Sequence, residues 1–297
     1  MKKLNLSGTY TALATPFNEN LEIDFKSLSA NAEKQVSAGV EGIVVLGSTG
    51  ETATLAMKEK IAVMLKVQEA VNGKIPIVVG TGTNDTKDTI EFTMLAFEYN
   101  FDGVMLTAPY YNKPSQEGIY QHYLAISEAV DIPQVIYNIP DRTGVNVDAE
   151  TQLKIAEDCK NVVATKEASC DLEQIMEVIR HSPEGFSVMS GDDYLAVPAI
   201  SVGANGAISV IANYAPKMFS DCIRLAKAGK FAEAAKAHYE LYDFMQINFI
   251  ESNPAPVKAI MKELGIIPSN AVRLPLLPIQ EANLQLIKAL LKNKTIS

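Results

Sequence analysis

No stretch of this 297-residue sequence is apolar for long enough to cross a bilayer, although hydrophobic residues make up 47% of it. A membrane-spanning helix needs about 20 such residues in a row. The start of the chain, MKKLNLSGTY, carries two lysines with no apolar stretch behind them. A secretory leader is therefore not expected, and a cytoplasmic location is. Histidine and cysteine are scarce: His122, His181 and His238 never cluster along the sequence, and Cys159, Cys170 and Cys222 show no CxxC spacing. Metal sites are built from grouped His, Cys and carboxylate ligands, so no metal cofactor is expected. Three scattered cysteines read as reduced and mostly structural. Positive charge is also short, with 26 Lys and Arg against 35 Asp and Glu for a net charge of −9. That balance argues against a nucleic-acid partner, while a few local cations can still dominate a site for a small anion. Finally, the first apolar run leads into Thr15-Pro16-Phe17, and no Gly-x-Gly-x-x-Gly fingerprint of a dinucleotide-binding sheet appears.

What is present is a regular alternation. Short, nearly continuous apolar runs at Thr9–Thr15, Gly42–Leu46, Ile75–Gly80, Gly103–Thr107, Gln134–Asn138, Val162–Lys166, Phe186–Ser190 and Gly206–Val210 read as parallel strands buried on both faces. Between them lie segments with helical apolar spacing, such as Lys58–Val71 and Lys87–Glu98, and Asp24, Asp85, Ser115, Asp148 and Asp171 stand where helix caps belong. Strict alternation leaves a closed barrel or an open doubly wound sheet. Roughly eight β/α units in about 210 residues fit a (β/α)8 TIM barrel. Past Ala215 the strand signal stops, and Lys230–Phe249, Pro256–Leu264 and Ile279–Leu291 look helical. The expected organisation is a barrel over residues 1–225 and a C-terminal helical extension over 226–297, packed as one structural unit.

Active sites of such barrels sit at the carboxyl ends of the strands. There the sequence delivers Gly47-Ser48-Thr49-Gly50-Glu51, Pro109-Tyr110-Tyr111-Asn112, Tyr137-Asn138-Ile139-Pro140-Asp141-Arg142, Lys166-Glu167 and Ser190-Gly191-Asp192-Asp193. Lys166 ends an apolar strand, whereas most other lysines lie on polar helical segments. A lysine in a dry interior loses hydration, which disfavours the ammonium and frees a nucleophilic amine for imine formation. The alternative is a lysine that reaches solvent or pairs with Glu167. Ser48 and Thr49 offer hydroxyls and backbone N–H groups suited to a carboxylate, or form an ordinary turn. Tyr137 is placed to reach Lys166 from the neighbouring strand, or is a half-buried structural tyrosine. Arg142 could clamp a carboxylate, or make a surface ion pair. Asp192-Asp193 reads as a cap or loop brace.

The stretches GSTGET (Gly47–Thr52), APYYNKPSQEGIYQHY (Ala108–Tyr123), YNIPDRTG (Tyr137–Gly144), KEAS (Lys166–Ser169), SGDD (Ser190–Asp193), GANGAISV (Gly203–Val210) and NPAPVK (Asn253–Lys258) resemble, in order and nearly end to end, the dihydrodipicolinate synthase / N-acetylneuraminate lyase family. The resemblance implies a Schiff-base aldolase without a cofactor, most similar to the synthase branch, which condenses pyruvate with L-aspartate 4-semialdehyde. The alternative is the N-acetylneuraminate lyase branch or another 2-keto-acid aldolase. It implies Lys166 as the imine-forming lysine, and Tyr137, Ser48 and Tyr111 as a proton relay, with Tyr111 donated by a neighbouring subunit of a homotetramer. It implies Thr49 and Ile208 as pyruvate-binding residues and Arg142 as the clamp for the semialdehyde carboxylate; Gly191 is taken as a further substrate-binding residue. Ser48 departs from the synthases' usual threonine but keeps the hydroxyl.

A second departure concerns regulation. Lysine-inhibited members of the family tend to carry histidines where this chain has Met57 and Lys60, and a glutamate where it has Asp88, while Asn84 and Tyr110 are kept. A thioether donates no hydrogen bond, and a lysine repels the ammonium groups of a bound lysine. Weak or absent inhibition by lysine is expected.

Overall fold

The computed structural model describes residues 4–296; Lys2 and Lys3 of the leader reading lie outside them. Eight parallel strands pair in chain order as a closed barrel. They are β1 (Gly8–Ala12), β2 (Gly42–Val45), β3 (Ile77–Gly80), β4 (Gly103–Thr107), β5 (Gln134–Asn138), β6 (Val162–Glu167), β7 (Ser187–Ser190) and β8 (Gly206–Ser209). The helices are α1 (Phe25–Ala38), α2 (Met57–Val71), α3 (Thr86–Glu98), α4 (Gln116–Ala129), α5 (Pro140–Thr143), α6 (Ala149–Asp158), α7 (Leu172–His181), α8 (Ala196–Ser201), α9 (Pro216–Lys227), α10 (Phe231–Ile247), α11 (Ala255–Glu263) and α12 (Glu281–Asn293). This is the (β/α)8 barrel the alternation predicts, followed by C-terminal helices. Each strand lies within two residues of its apolar run except β1, which stops three residues short, before the Thr15-Pro16 turn. The helix α9 was not marked by periodicity.

All five predicted caps stand at helix N-caps, and four of them make the capping bond. The side chains of Asp24, Asp85, Ser115 and Asp171 accept from backbone N–H groups of their first turns. Asp148 stands at the N-cap position of α6 but makes no such bond; its carboxylate instead accepts from Asn146 Nδ2 at 2.9 Å.

The chain forms two compact units. One comprises the chain up to Gly8 together with Pro76–Ile208. Within it Val78, Val79, Val104, Leu106, Val135 and Ile136 are fully buried in strands β3 to β5. The other comprises Thr9–Ile75 and the chain from Ser209 onward. Here β1 pairs with β2, Tyr10 opposite Gly42, and a Cβ on Gly42 would lie 2.1 Å from the Tyr10 ring. Two buried amides, Asn213 and Gln35, brace this unit from inside. Asn213 accepts from the Ala14 N–H at 2.9 Å and donates to the Ala12 carbonyl at 2.8 Å, and Gln35 accepts from Thr11 Oγ1 at 2.7 Å.

Arg273 ties the loop after α11 to the start of α2. Its guanidinium donates to both oxygens of Glu59 at 2.7 and 2.9 Å and to the Leu21 and Thr54 carbonyls. The Arg273 bond is the main reason the Glu59 carboxyl is held down at about 2, from an ordinary 4.5. A depressed carboxyl stabilises the fold above its unfolded value and loses that contribution as pH falls through the folded one. Glu59→Gln should therefore cost about 2 kcal/mol at pH 7, discounting for the partial exposure of the pair. The deficit should shrink between about pH 4.5 and about pH 2, because protonated Glu59 and glutamine are then alike. Urea unfolding across this range checks it, and a deficit independent of pH would show that charge is not the contribution.

Candidate active site

Strand β6 reads VVATKE, and its side chains alternate in direction. Thr165 donates to Gln152 Oε1 of α6 at 2.7 Å, and Glu167 accepts from Gln152 Nε2 at 2.7 Å. Both therefore face the helix layer. Lys166 lies on the opposite face, toward the barrel interior, and is 4% exposed. The same alternation governs β5. Asn138 faces the helices and donates to Glu167 at 3.0 and 3.1 Å, so Tyr137, 3% exposed, faces inward. The register pairs Tyr137 with Lys166 and Asn138 with Glu167. As a result the lysine ammonium nitrogen sits 4.2 Å from the centroid of the Tyr137 ring.

The ion pair that Glu167 could have made with Lys166 is replaced by a cage of neutral donors. Besides Asn138 and Gln152, the carboxylate accepts from Gln174 Nε2 at 2.9 Å and from the Ser169 N–H at 2.8 Å. Asn146 binds Asn138 and Gln174 and closes the ring. Neighbouring polar groups extend the rim. Gly191, at the end of β7, donates its N–H to the Glu167 carbonyl at 2.7 Å; a Cβ there would lie 2.4 Å from that of Ala168, so only glycine allows this approach. Asp192 Oδ2 accepts from Cys170 Sγ at 3.4 Å, and that sulfur is 3.0 Å from Tyr194 Oη. Burial raises the Asp192 carboxyl and lifts the Cys170 thiol to about 11, so this exposed cysteine stays protonated near neutrality. Asp192 thus contacts the loop after β6 and makes no side-chain cap bond to the 3-10 turn it precedes. Ile208 is fully buried in β8.

Arg142 is exposed on the single-turn helix α5, which ends on Gly144 in a left-handed conformation with φ 74°. Tyr111 is 88% exposed and is itself left-handed, φ 75°. Its loop is tied down by the Tyr111 N–H bond to the Thr143 carbonyl and by Asn112 donating to the Asn84 carbonyl. Tyr110 and Met57 are exposed, as is Asp88 on α3; burial lowers the Lys60 ammonium.

In the second unit, the turn after β2 carries Ser48 and Thr49. Thr49 is buried at 2% exposure, and its hydroxyl accepts from Asn253 Nδ2 at 2.9 Å. Glu51 closes the turn with φ 53°, a conformation costly for a residue with a side chain. Its carboxylate is held by the buried Lys258 of α11 and by the Arg273 N–H at 3.0 Å. Burial pushes the Lys258 ammonium down to about 8 although Glu51 pulls the other way. Sequence reasoning assigned no role to Asn253, Lys258 or the amide cage. The signal for the first two was a lysine inside the apolar stretch APVKAIM that follows Asn253-Pro254.

Among the described residues no group of three or more His, Cys, Asp and Glu is placed to hold a metal ion, and no helix is long and apolar enough to cross a membrane. The sequence profile of the Dihydrodipicolinate synthetase family matches residues 5–294. The 4-hydroxy-tetrahydrodipicolinate synthase of Phocaeicola vulgatus is 43% identical over 296 residues, 100% of this chain and 99% of the relative. The crystal structure of dihydrodipicolinate synthase from Thermotoga maritima superposes with a TM-score of 0.95 at 40% identity, covering 98% of this chain and 99% of that one. The enzyme from Cyanidioschyzon merolae, solved with lysine bound, superposes with a TM-score of 0.93 at 38% identity, over 96% and 97% of the two chains. With a family profile spanning nearly all of its length and relatives of this identity end to end, the chain belongs to the Dihydrodipicolinate synthetase family.

Proposed function

We propose that this chain is a lyase that condenses pyruvate with L-aspartate 4-semialdehyde to give 4-hydroxy-tetrahydrodipicolinate, in lysine and diaminopimelate biosynthesis. The observation that carries the reading is Lys166 buried at the end of β6, in register with Tyr137 and not engaged by its neighbour Glu167. The N-acetylneuraminate lyase alternative is not favoured, since the relatives named above are synthases.

The unprotonated Lys166 amine attacks the pyruvate ketone and, with loss of water, forms an imine. The imine is the electron sink, so loss of a methyl proton gives an enamine. The enamine carbon then bonds to the aldehyde carbon of the semialdehyde. The substrate's own amine displaces Lys166 from the imine carbon and closes the ring. Tyr137, Ser48 and Tyr111 carry the protons as general acid and base. Thr49, with Gly191 and the Ile208 backbone, holds the pyruvate side, and Arg142 holds the carboxylate of the second substrate. The cycle requires no cofactor.

Borohydride reduction with pyruvate alone should trap an adduct on Lys166, and Lys166→Arg should abolish both trapping and turnover, because a guanidinium stays charged. Arg142→Ala in the same assay should still trap pyruvate while losing most use of the semialdehyde. An adduct on another lysine overturns the first role, and equal loss of both steps overturns the second.

We assign Tyr111 to the site of a partner subunit in a homotetramer, a role supported by its exposure and its fixed left-handed backbone. Tyr111→Phe should lower kcat with the melting temperature unchanged. A fully active monomer in sedimentation at assay concentration would exclude the assignment.

Met57 and Lys60 support weak or absent inhibition by lysine, in contrast to a relative that binds it. A titration of activity with lysine checks this, and strong inhibition at submillimolar lysine would show that these side chains are tolerated.

A further inference from the structure

Thr49 is the hydroxyl assigned above to the pyruvate carboxylate, and the inference rests on that reading. A hydroxyl has one hydrogen to donate and lone pairs that accept. Which way its hydrogen points is fixed by its neighbours. At Thr49 the neighbour is the amide nitrogen of Asn253, 2.9 Å from Oγ1. An amide N–H can only donate, so this contact takes a lone pair of the hydroxyl and leaves the hydrogen to point elsewhere. Both residues are nearly dry, with Thr49 2% and Asn253 4% exposed. In such surroundings a hydrogen bond polarises its partner and is not replaced by water.

We propose that Asn253 is a positioning residue for pyruvate: its side-chain amide holds the Thr49 hydroxyl as an acceptor and so presents the hydroxyl hydrogen to the substrate carboxylate. The position of Asn253 is itself set by the segment it begins. Directly after it, α11 brings in Lys258, which pairs with Glu51 two residues beyond Thr49. The Arg273 N–H holds the other Glu51 oxygen. One stretch of chain therefore grips the turn at two points, Asn253 at its hydroxyl and Lys258 at its end. The catalytic steps themselves make no use of Asn253.

The proposal predicts an order of effects that a packing role reverses. Asn253→Asp preserves shape but substitutes an acceptor, which draws the Thr49 hydrogen to itself. The KM for pyruvate should rise on the order of tenfold or more, with a smaller change in kcat. Asn253→Ala frees the hydroxyl to rotate and should raise KM only a few-fold. If packing were the role, Asp would be milder than Ala. Because an aspartate also places negative charge near an anion, both substitutions are repeated on Thr49→Val. With the hydroxyl gone, Asn253→Ala should not raise KM further by more than about twofold, as expected for a fully coupled pair, and Asn253→Asp should keep only the part of its effect due to charge. Should the aspartate variant fail to fold, the alanine substitution measured with and without Thr49→Val carries the same comparison. Persistence of the alanine effect, or of the full aspartate effect, in the valine background, or Asp milder than Ala, overturns the proposal. Failure of the underlying reading has its own signature: Thr49→Val alone would leave the KM for pyruvate unchanged.

Discussion

Two consecutive ionisable side chains at the end of β6 leave water in opposite directions, and the proposed chemistry depends on their not meeting. A buried carboxylate is costly unless it is hydrogen-bonded or paired. The nearest basic side chain to Glu167 along the chain is Lys166, and a pair between them would engage the lysine nitrogen. Strand alternation forbids that pair, and the cage of Asn138, Gln152, Gln174 and the Ser169 N–H supplies a substitute without adding a positive charge. The arrangement also fixes register. Asn138 meets Glu167 on one face of the β5–β6 pair, and Tyr137 meets Lys166 on the other. A slip of one residue would turn every one of these side chains to the wrong face. The amide cage is thus a lock whose consequence appears on the far side of the sheet.

A second buried carboxylate, Glu51, is handled in the opposite way. Glu51 is neutralised by a cation, Lys258, which is fully buried and also lies 4.1 Å from the Phe17 ring centroid. Replacing such a pair by apolar residues is often neutral for stability, so its retention is weak evidence of a stabilising role. What it does specify is geometry. Glu51 ends a turn in a left-handed conformation that would relax if its carboxylate were not anchored. The anchors come from residues 258 and 273, so the C-terminal helices hold the shape of a turn more than two hundred residues earlier.

Much of this was legible in the sequence, for identifiable reasons. Parallel strands buried on both faces appear as continuous apolar runs, so seven of the strands were placed to within two residues. The polar residues that follow each run could then be read as a rim, and Lys166, Tyr137 and Thr49 were named there. The inward direction of Lys166 was less secure, because a lysine beside a glutamate invites an ion pair; only the distant partners of Glu167 decide the matter. Gln152 and Gln174 lie on helices α6 and α7, where a glutamine reads as surface. The bond from Asn253 to Thr49 spans 204 residues and has no periodic signature at all. Asp148 was read as a cap because its type and position fit; its carboxylate was taken instead by Asn146, a competitor that local patterning does not register.

The burial of the assigned residues follows the order of the proposed reaction. Lys166, assigned above as the nucleophile, is buried on a strand whose register is locked. The hydroxyl assigned to the first substrate, Thr49, is also buried and held by two separate contacts to its turn. The groups assigned to the second substrate and to association, Arg142 and Tyr111, are exposed on a one-turn helix and a loop. A covalent intermediate needs a rigid and water-poor origin, whereas an aldehyde partner has to enter, be recognised and close a ring. Rigid strands with variable loops satisfy both demands. On the proposed assignment, imine chemistry is tied to β5 and β6, and the choice of aldehyde falls to loops that can change without disturbing the register between Tyr137 and Lys166.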